Sequence, residues 1–250
     1  MLTQVVLTVA ESKRLIAKGV AAHPLVRRAL QAGTVIIARG STNGYVAQEI
    51  LGEPLDKLAF LTGHTLPRGY KGSRPRPEGI PEIVIREGKV FPGVSLGEAV
   101  AGLKAGDVVI KGANALDYDR RVAGILVGHP EGGTIGAVLP TVIARKAHLV
   151  TPVGLEKLVG SDLTATSRLI AEGALDAEAV PALWVLDAAV IVTEIEALEL
   201  IAGVSCRHLA SGGIGGAEGA VRLLISGERQ GVDEARRLLD SISGEPSFAI

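Results

Sequence analysis

Lys111 is the residue whose position most invites chemistry. It follows the apolar run Val108-Val109-Ile110 and opens the stretch Lys111-Gly112-Ala113-Asn114-Ala115-Leu116-Asp117-Tyr118-Asp119. A lysine directly after a buried strand can contact a phosphate or, once desolvated, act as a base or an imine-forming amine. It can equally form a structural ion pair with Asp117 or Asp119. Those two aspartates are candidate general bases if the site closes over them; Asp-Tyr-Asp is also good turn chemistry. Lys111, Asp117 and Asp119 are therefore the candidate catalytic residues.

Two further clusters have the same setting. Gly40-Ser41-Thr42-Asn43-Gly44 follows the β-branched run Val35-Ile36-Ile37 and precedes a helix-compatible segment. That arrangement aims backbone N–H groups and hydroxyls at one point beside a helix N-terminus, where a phosphate or carboxylate is favoured. Glu131-Gly132-Gly133-Thr134-Ile135-Gly136 opens another predicted helix. An ordinary βα turn accounts for any one cluster. In a parallel sheet all three converge on the crevice at the strand C-termini, which predicts a ligand site. Gly40, Ser41, Thr42, Asn43, Asn114, Gly132, Gly133 and Thr134 are its candidate substrate-binding residues.

These clusters need an α/β scaffold to hold them. Thr8 and Glu11 have capping-box spacing ahead of a helical stripe through Leu15, Ile16, Gly19 and Val20, and Pro24 breaks that helix. A second helix is expected to residue 30, then a strand at 34–38, a helix at 45–51 and a short strand at 60–62. Residues 63–81 carry proline, glycine and positive charge without a period and read as a loop or lid, with the arginines from Arg68 to Arg76 solvated or closing over an anion. A hairpin at 83–91, a helix at 95–103, a strand at 107–111, a helix at 134–147 and a strand at 148–152 follow. From about residue 186 the expected order is β-α-β-β-α-β, with the last strand at 246–249, which is the split βαβ or ferredoxin-like unit. The expected fold is thus α/β: a Rossmann-like, mostly parallel sheet flanked by helices over 1–185, and a ferredoxin-like α+β subdomain over 186–250.

Composition narrows the function. The 250 residues include 26 basic and 27 acidic side chains, so no net field attracts nucleic acid or an anionic membrane. Apolar residues make up 47% and aromatics only 3%, which implies an aliphatic core. One cysteine, Cys206, precludes an internal disulfide and fits a reducing, cytoplasmic setting. The first residues lack the basic region of a signal peptide, and no apolar run is long enough to span a membrane. His64, His129, His148 and His208 lack metal-ligand spacing, and no cofactor is called for. The glycine run at 212–219 has Glu218 where a dinucleotide loop needs its third glycine, and it falls between two strands, so it reads as a hairpin.

The same residues resemble the superfamily of ribose-5-phosphate isomerase type A, glucosamine-6-phosphate deaminase and the coenzyme A transferases. Gly40-Ser41-Thr42 is similar to its glycine-serine-threonine phosphate loop. Residues 111–117 stand where the isomerase carries Asp-Gly-Ala-Asp-Glu-Val-Asp, and residues 131–139 resemble its Lys-Gly-Gly-Gly-Gly-Ala-Leu-Leu. Glu156-Lys157-Leu158-Val159 resembles the segment that follows. Here Lys111, Asn114 and Ala115 replace the first three acidic residues of that motif, only Asp117 is retained, and Glu131 replaces the lysine. The resemblance implies the scaffold and an anion loop, with ribose-5-phosphate isomerase itself disfavoured. The expectation is a protein that binds and acts on a small phosphorylated or carboxylated metabolite, as a homo-oligomer. The alternatives are a non-catalytic metabolite sensor or a structural oligomer on the same scaffold.

Overall fold

A computed structural model describes residues 1–71, 79–173 and 180–247. The chain is α/β, with eight helices of four residues or more, a six-stranded mixed sheet and two small antiparallel sheets among those residues. In chain order the elements are β1 (Leu2–Leu7), α1 (Val9–Ala22), α2 (Pro24–Ala32), β2 (Thr34–Ile37), α3 (Ser41–Leu51), β3 (Ile83–Arg86), β4 (Lys89–Val90), α4 (Leu96–Ala101), β5 (Val108–Ile110), β6 (Ala115–Asp117) and β7 (Val122–Val127). Then come α5 (Gly133–Arg145), β8 (His148–Pro152), a 3-10 turn (Leu155–Lys157), α6 (Leu163–Glu172), β9 (Ala182–Leu186), β10 (Val190–Val192), α7 (Glu194–Ala202), β11 (Ser205–Ser211), β12 (Val221–Ser226) and α8 (Arg229–Asp240).

The six-stranded sheet has the order β10-β8-β5-β2-β3-β4. Its first four strands run parallel, and the β3–β4 hairpin adds antiparallel beside β2. Alternation sorts its side chains. Val35, Ile37, Val108 and Ile110 face Ile16, Ala17 and Val20 of α1 together with Tyr45 and Val46 of α3. Ile36, Val109 and Leu149 pack into the other part of the core with Val100 of α4 and Val138 and Val142 of α5. With both faces covered, a core of Val, Ile, Leu and Ala suffices, each fully buried Val, Ile or Leu contributing about 1.5–3 kcal/mol.

Local sequence sets the helix boundaries. The Thr8 hydroxyl accepts from Glu11 N–H and the Glu11 carboxylate from Thr8 N–H, closing the anticipated capping box of α1. His23 Nδ1 accepts from Leu25 N–H, and Pro24 begins α2. At the N-terminal end of β5 the buried Asp107 carboxylate accepts from Thr34 N–H and Lys104 N–H, both at 2.7 Å, which ties that sheet edge shut with the protein's own groups.

Several elements depart from expectation. Residues 60–62 form no strand, because β3 occupies the place beside β2; Phe60 is instead a buried anchor whose carbonyl accepts from Gly40 N–H at 2.8 Å. Residues 115–127 and 182–186 form an antiparallel sheet, β6-β7-β9, that the sequence pattern did not suggest. The C-terminal sheet has the order β1-β12-β11, so its outer strand comes from the start of the chain. β10, expected in that unit, pairs parallel with β8 in the large sheet, so the sheets do not divide at residue 186. Pro246 and Ser247 are in no strand, and 248–250 lie outside the described residues. The glycine run at 212–219 does connect the antiparallel pair β11 and β12. Among the described residues no helix is long and apolar enough to cross a membrane.

Candidate functional site

The carboxyl ends of β2 and β5 open onto a cavity of about 720 Å³, which Lys157 reaches from the 3-10 turn after β8. All three clusters meet there. Gly40, Ser41, Thr42 and Asn43 line it from the start of α3, Lys111 and Asn114 from the end of β5, and Gly132, Gly133 and Thr134 from the start of α5. Leu61 and Thr62 line it, as do residues 63–66 at the start of the proline- and glycine-rich loop, while 72–78, with Arg74 and Arg76, lie outside the described residues.

Two helix N-termini face this space, and neither carries a side-chain cap. α3 begins after Gly40 and α5 after Gly132, whose φ of 82° is left-handed. A side chain at position 132 would meet the Trp184 ring and the Gly136 backbone, each about 3.0 Å from its Cβ. First-turn N–H groups at both helices are thus left for a ligand, and the two dipoles favour negative charge.

Asn43 has a structural part. Fully buried, it donates through Nδ2 to Ala38 O at 2.7 Å and Ile110 O at 3.2 Å, binding the ends of β2 and β5 together. Its Oδ1 has no hydrogen-bond partner among the described residues and lies on the Gly112 side of the cavity wall. Asn114 is also held by the fold: Oδ1 accepts from Leu126 N–H at 3.0 Å, across the β6–β7 hairpin.

Lysines dominate the chemistry. Lys111, Lys13 and Lys157 all line the cavity, as does Arg39, which donates to Leu61 O. Lys111 Nζ donates to Gly112 O at 3.1 Å and forms no ion pair with Asp117 or Asp119. Burial first, and the like charge of Lys157 second, lower its pKa to about 8. Lys13, buried on α1, is also lowered to about 8, by burial and then Lys157, with Glu156 opposing. Lys157 donates to Ala113 O at 2.8 Å. Lys13 and Lys157 were not anticipated. Lys13 had a signal, since it takes the i position of the buried stripe Ile16, Ala17, Val20 on α1.

The predicted bases are elsewhere. Asp117 closes the β6–β7 turn, accepting from Arg120 N–H and pairing with the Arg120 guanidinium at 3.1 Å, and Asp119 is exposed beside it. Neither lines the cavity. The three-residue β6 turns the chain away from the sheet edge before Asp117 is reached. Among the described residues, no aspartate or glutamate lines the cavity.

Carboxylates lie behind the lysines. Glu194, completely buried at the start of α7, accepts from Leu155 N–H through both oxygens; burial, then Glu156, raise its pKa to about 7. The Glu156 carboxylate folds over Gly154 so closely that a Cβ there would stand 1.7 Å from Oε2. Cys206 is buried, and burial together with Glu199 pushes its thiol up to about 12. Among the described residues, no group of three or more His, Cys, Asp or Glu gathers to hold a metal ion. No protein-family model, curated protein or solved structure matches the chain.

Proposed function

We propose that this protein binds a small phosphorylated or carboxylated metabolite in the cavity at the carboxyl edge of the parallel strands, and acts on it. One observation carries the reading: two uncapped helix N-termini and Lys157 line one cavity, and among the described residues no aspartate or glutamate lines it. Such a lining is complementary to an anion. Ser41, Thr42 and the first turn of α3 hold one anionic group, Gly132, Gly133 and Thr134 approach it from α5, and Lys157 and Lys13 supply charge. The parallel strands act as a Rossmann-like ligand layer.

The reading agrees with the resemblance to sugar-phosphate isomerases in the class of substrate and departs from it in chemistry. Shuttling a proton between adjacent carbons needs a base in reach, and Asp117 and Asp119 are outside the lining. The same feature favours a second reading, a metabolite sensor that binds without turnover.

Thermal unfolding in the presence of inorganic phosphate, sugar phosphates and short carboxylic acids tests the site, with chloride at matched ionic strength as control. An anion at about 100 times its Kd adds roughly 2.7 kcal/mol of stability. The expected result is a saturable rise in Tm for at least one anion, weakened in Lys157→Met. No saturable rise from any of them overturns the reading.

A further inference from the structure

If the cavity binds an anion, its three amines are not equivalent. Lys157 gives its ammonium to Ala113 O, and Lys13 lies in the field of the Glu156 carboxylate. Among the described residues no carboxylate acts on Lys111, and its carbonyl contact is only a local one. Its hydrogen bond goes to the carbonyl of the adjacent residue, Gly112, and its strongest electrostatic neighbour is another ammonium, Lys157. It stands at the end of β5, between the α3 loop and the 3-10 turn, on the wall where buried Asn43 Oδ1 has no partner among the described residues. That oxygen can accept from a hydroxyl on a ligand.

We propose that Lys111 is an imine-forming lysine whose substrate is a small aldehyde or ketone carrying a phosphate or carboxylate. The neutral amine adds its lone pair to the carbonyl carbon as the C=O pair moves to oxygen. One N–H proton passes to that oxygen, giving a carbinolamine. The nitrogen lone pair then forms C=N as the hydroxyl leaves with the second N–H proton, as water, so no oxidant or reductant is consumed. Asn43 Oδ1 is an acceptor for the carbinolamine hydroxyl. The ligand's own anion offsets the positive charge that a protonated imine places beside Lys157 and Lys13, so the site selects carbonyl compounds that carry one. With its pKa at about 8, Lys111 at pH 7 is neutral about 300-fold more often than a lysine titrating at 10.5.

The proposal rests on the anion-site reading, and its test separates the two. The full chain is incubated with dihydroxyacetone phosphate or pyruvate and cyanoborohydride, digested, and mapped by mass spectrometry, with acetone as the uncharged control. The expected result is a reduced adduct confined to the peptide carrying Lys111, formed at least ten times faster than with acetone and suppressed by inorganic phosphate. Labelling should rise with pH and level off above about pH 8. Lys111→Arg and Lys111→Met should lose the adduct while the Tm of either variant still rises with phosphate. Absence of label at Lys111, or label spread over exposed lysines such as Lys89 and Lys104, overturns the imine. If phosphate still stabilises the protein in that event, the anion site stands without the imine; if it does not, both fail.

Discussion

Lys111→Met should make the folded protein more stable at neutral pH. The ammonium is carried into the fold without a carboxylate, and its pKa falls from 10.5 to about 8. At about 1.4 kcal/mol per pH unit, that gap opposes folding by about 3.5 kcal/mol. The sign follows from proton counting. Between pH 8 and 10.5 the unfolded chain holds the proton and the folded chain does not, so wild-type stability rises with pH across that window; below about pH 8 the full penalty is present. Methionine has no proton to lose, and the Gly112 carbonyl it leaves faces the cavity, where water can replace the lysine. Urea unfolding of both proteins at pH 7.0 and 9.5 measures the effect. The variant should lead by about 2–3 kcal/mol at pH 7, and about 2 kcal/mol of that lead should be gone by pH 9.5. Subtracting the two proteins cancels titrating groups that are not coupled to Lys111, such as Cys206. A variant that is less stable than wild type at pH 7, or a difference that does not change with pH, would refute the reasoning.

Glu194→Gln should flatten the loss of wild-type stability between about pH 4.5 and 7, because the buried carboxyl, raised to about 7, must ionise in the unfolded chain before it does in the folded one; the pH dependence of the urea midpoint checks this. Asn43→Ala should lower stability by about 1–3 kcal/mol by taking away the donor to Ala38 O and Ile110 O, and should loosen the joint between β2 and β5, read by faster amide exchange there. Asp117→Asn should change stability by less than about 1 kcal/mol, since its Arg120 partner is 62% exposed, and should leave anion-induced Tm shifts intact.

The convergence of three loops on one cavity was legible because each follows or precedes a strongly patterned element, and parallel strands deliver such loops to one edge. What escaped is long-range. Leu2–Leu7 is a short run whose partner, β12, is the last strand among the described residues, so no local window contains the pair. β9 likewise pairs with β7 across 50 residues or more, and a reading without that sheet keeps Asp117 at the site. Lys157 stood in the segment that resembles the isomerase family, but nothing there marked it as a cavity residue, since it enters from a 3-10 turn. Lys13 could have been found: a lysine on the apolar stripe of a capped helix needs something to face.

The pairing of β1 with β12 has a consequence for synthesis. Leu7 meets Val221, so the first strand leaves the ribosome more than two hundred residues before its partner exists. At about 5–20 residues per second the wait is roughly 10–40 s. During that interval Leu2-Thr3-Gln4-Val5-Val6-Leu7 is an apolar segment with both of its hydrogen-bonding edges open. Of the strand pairs among the described residues, this is the one whose first member waits longest for its second.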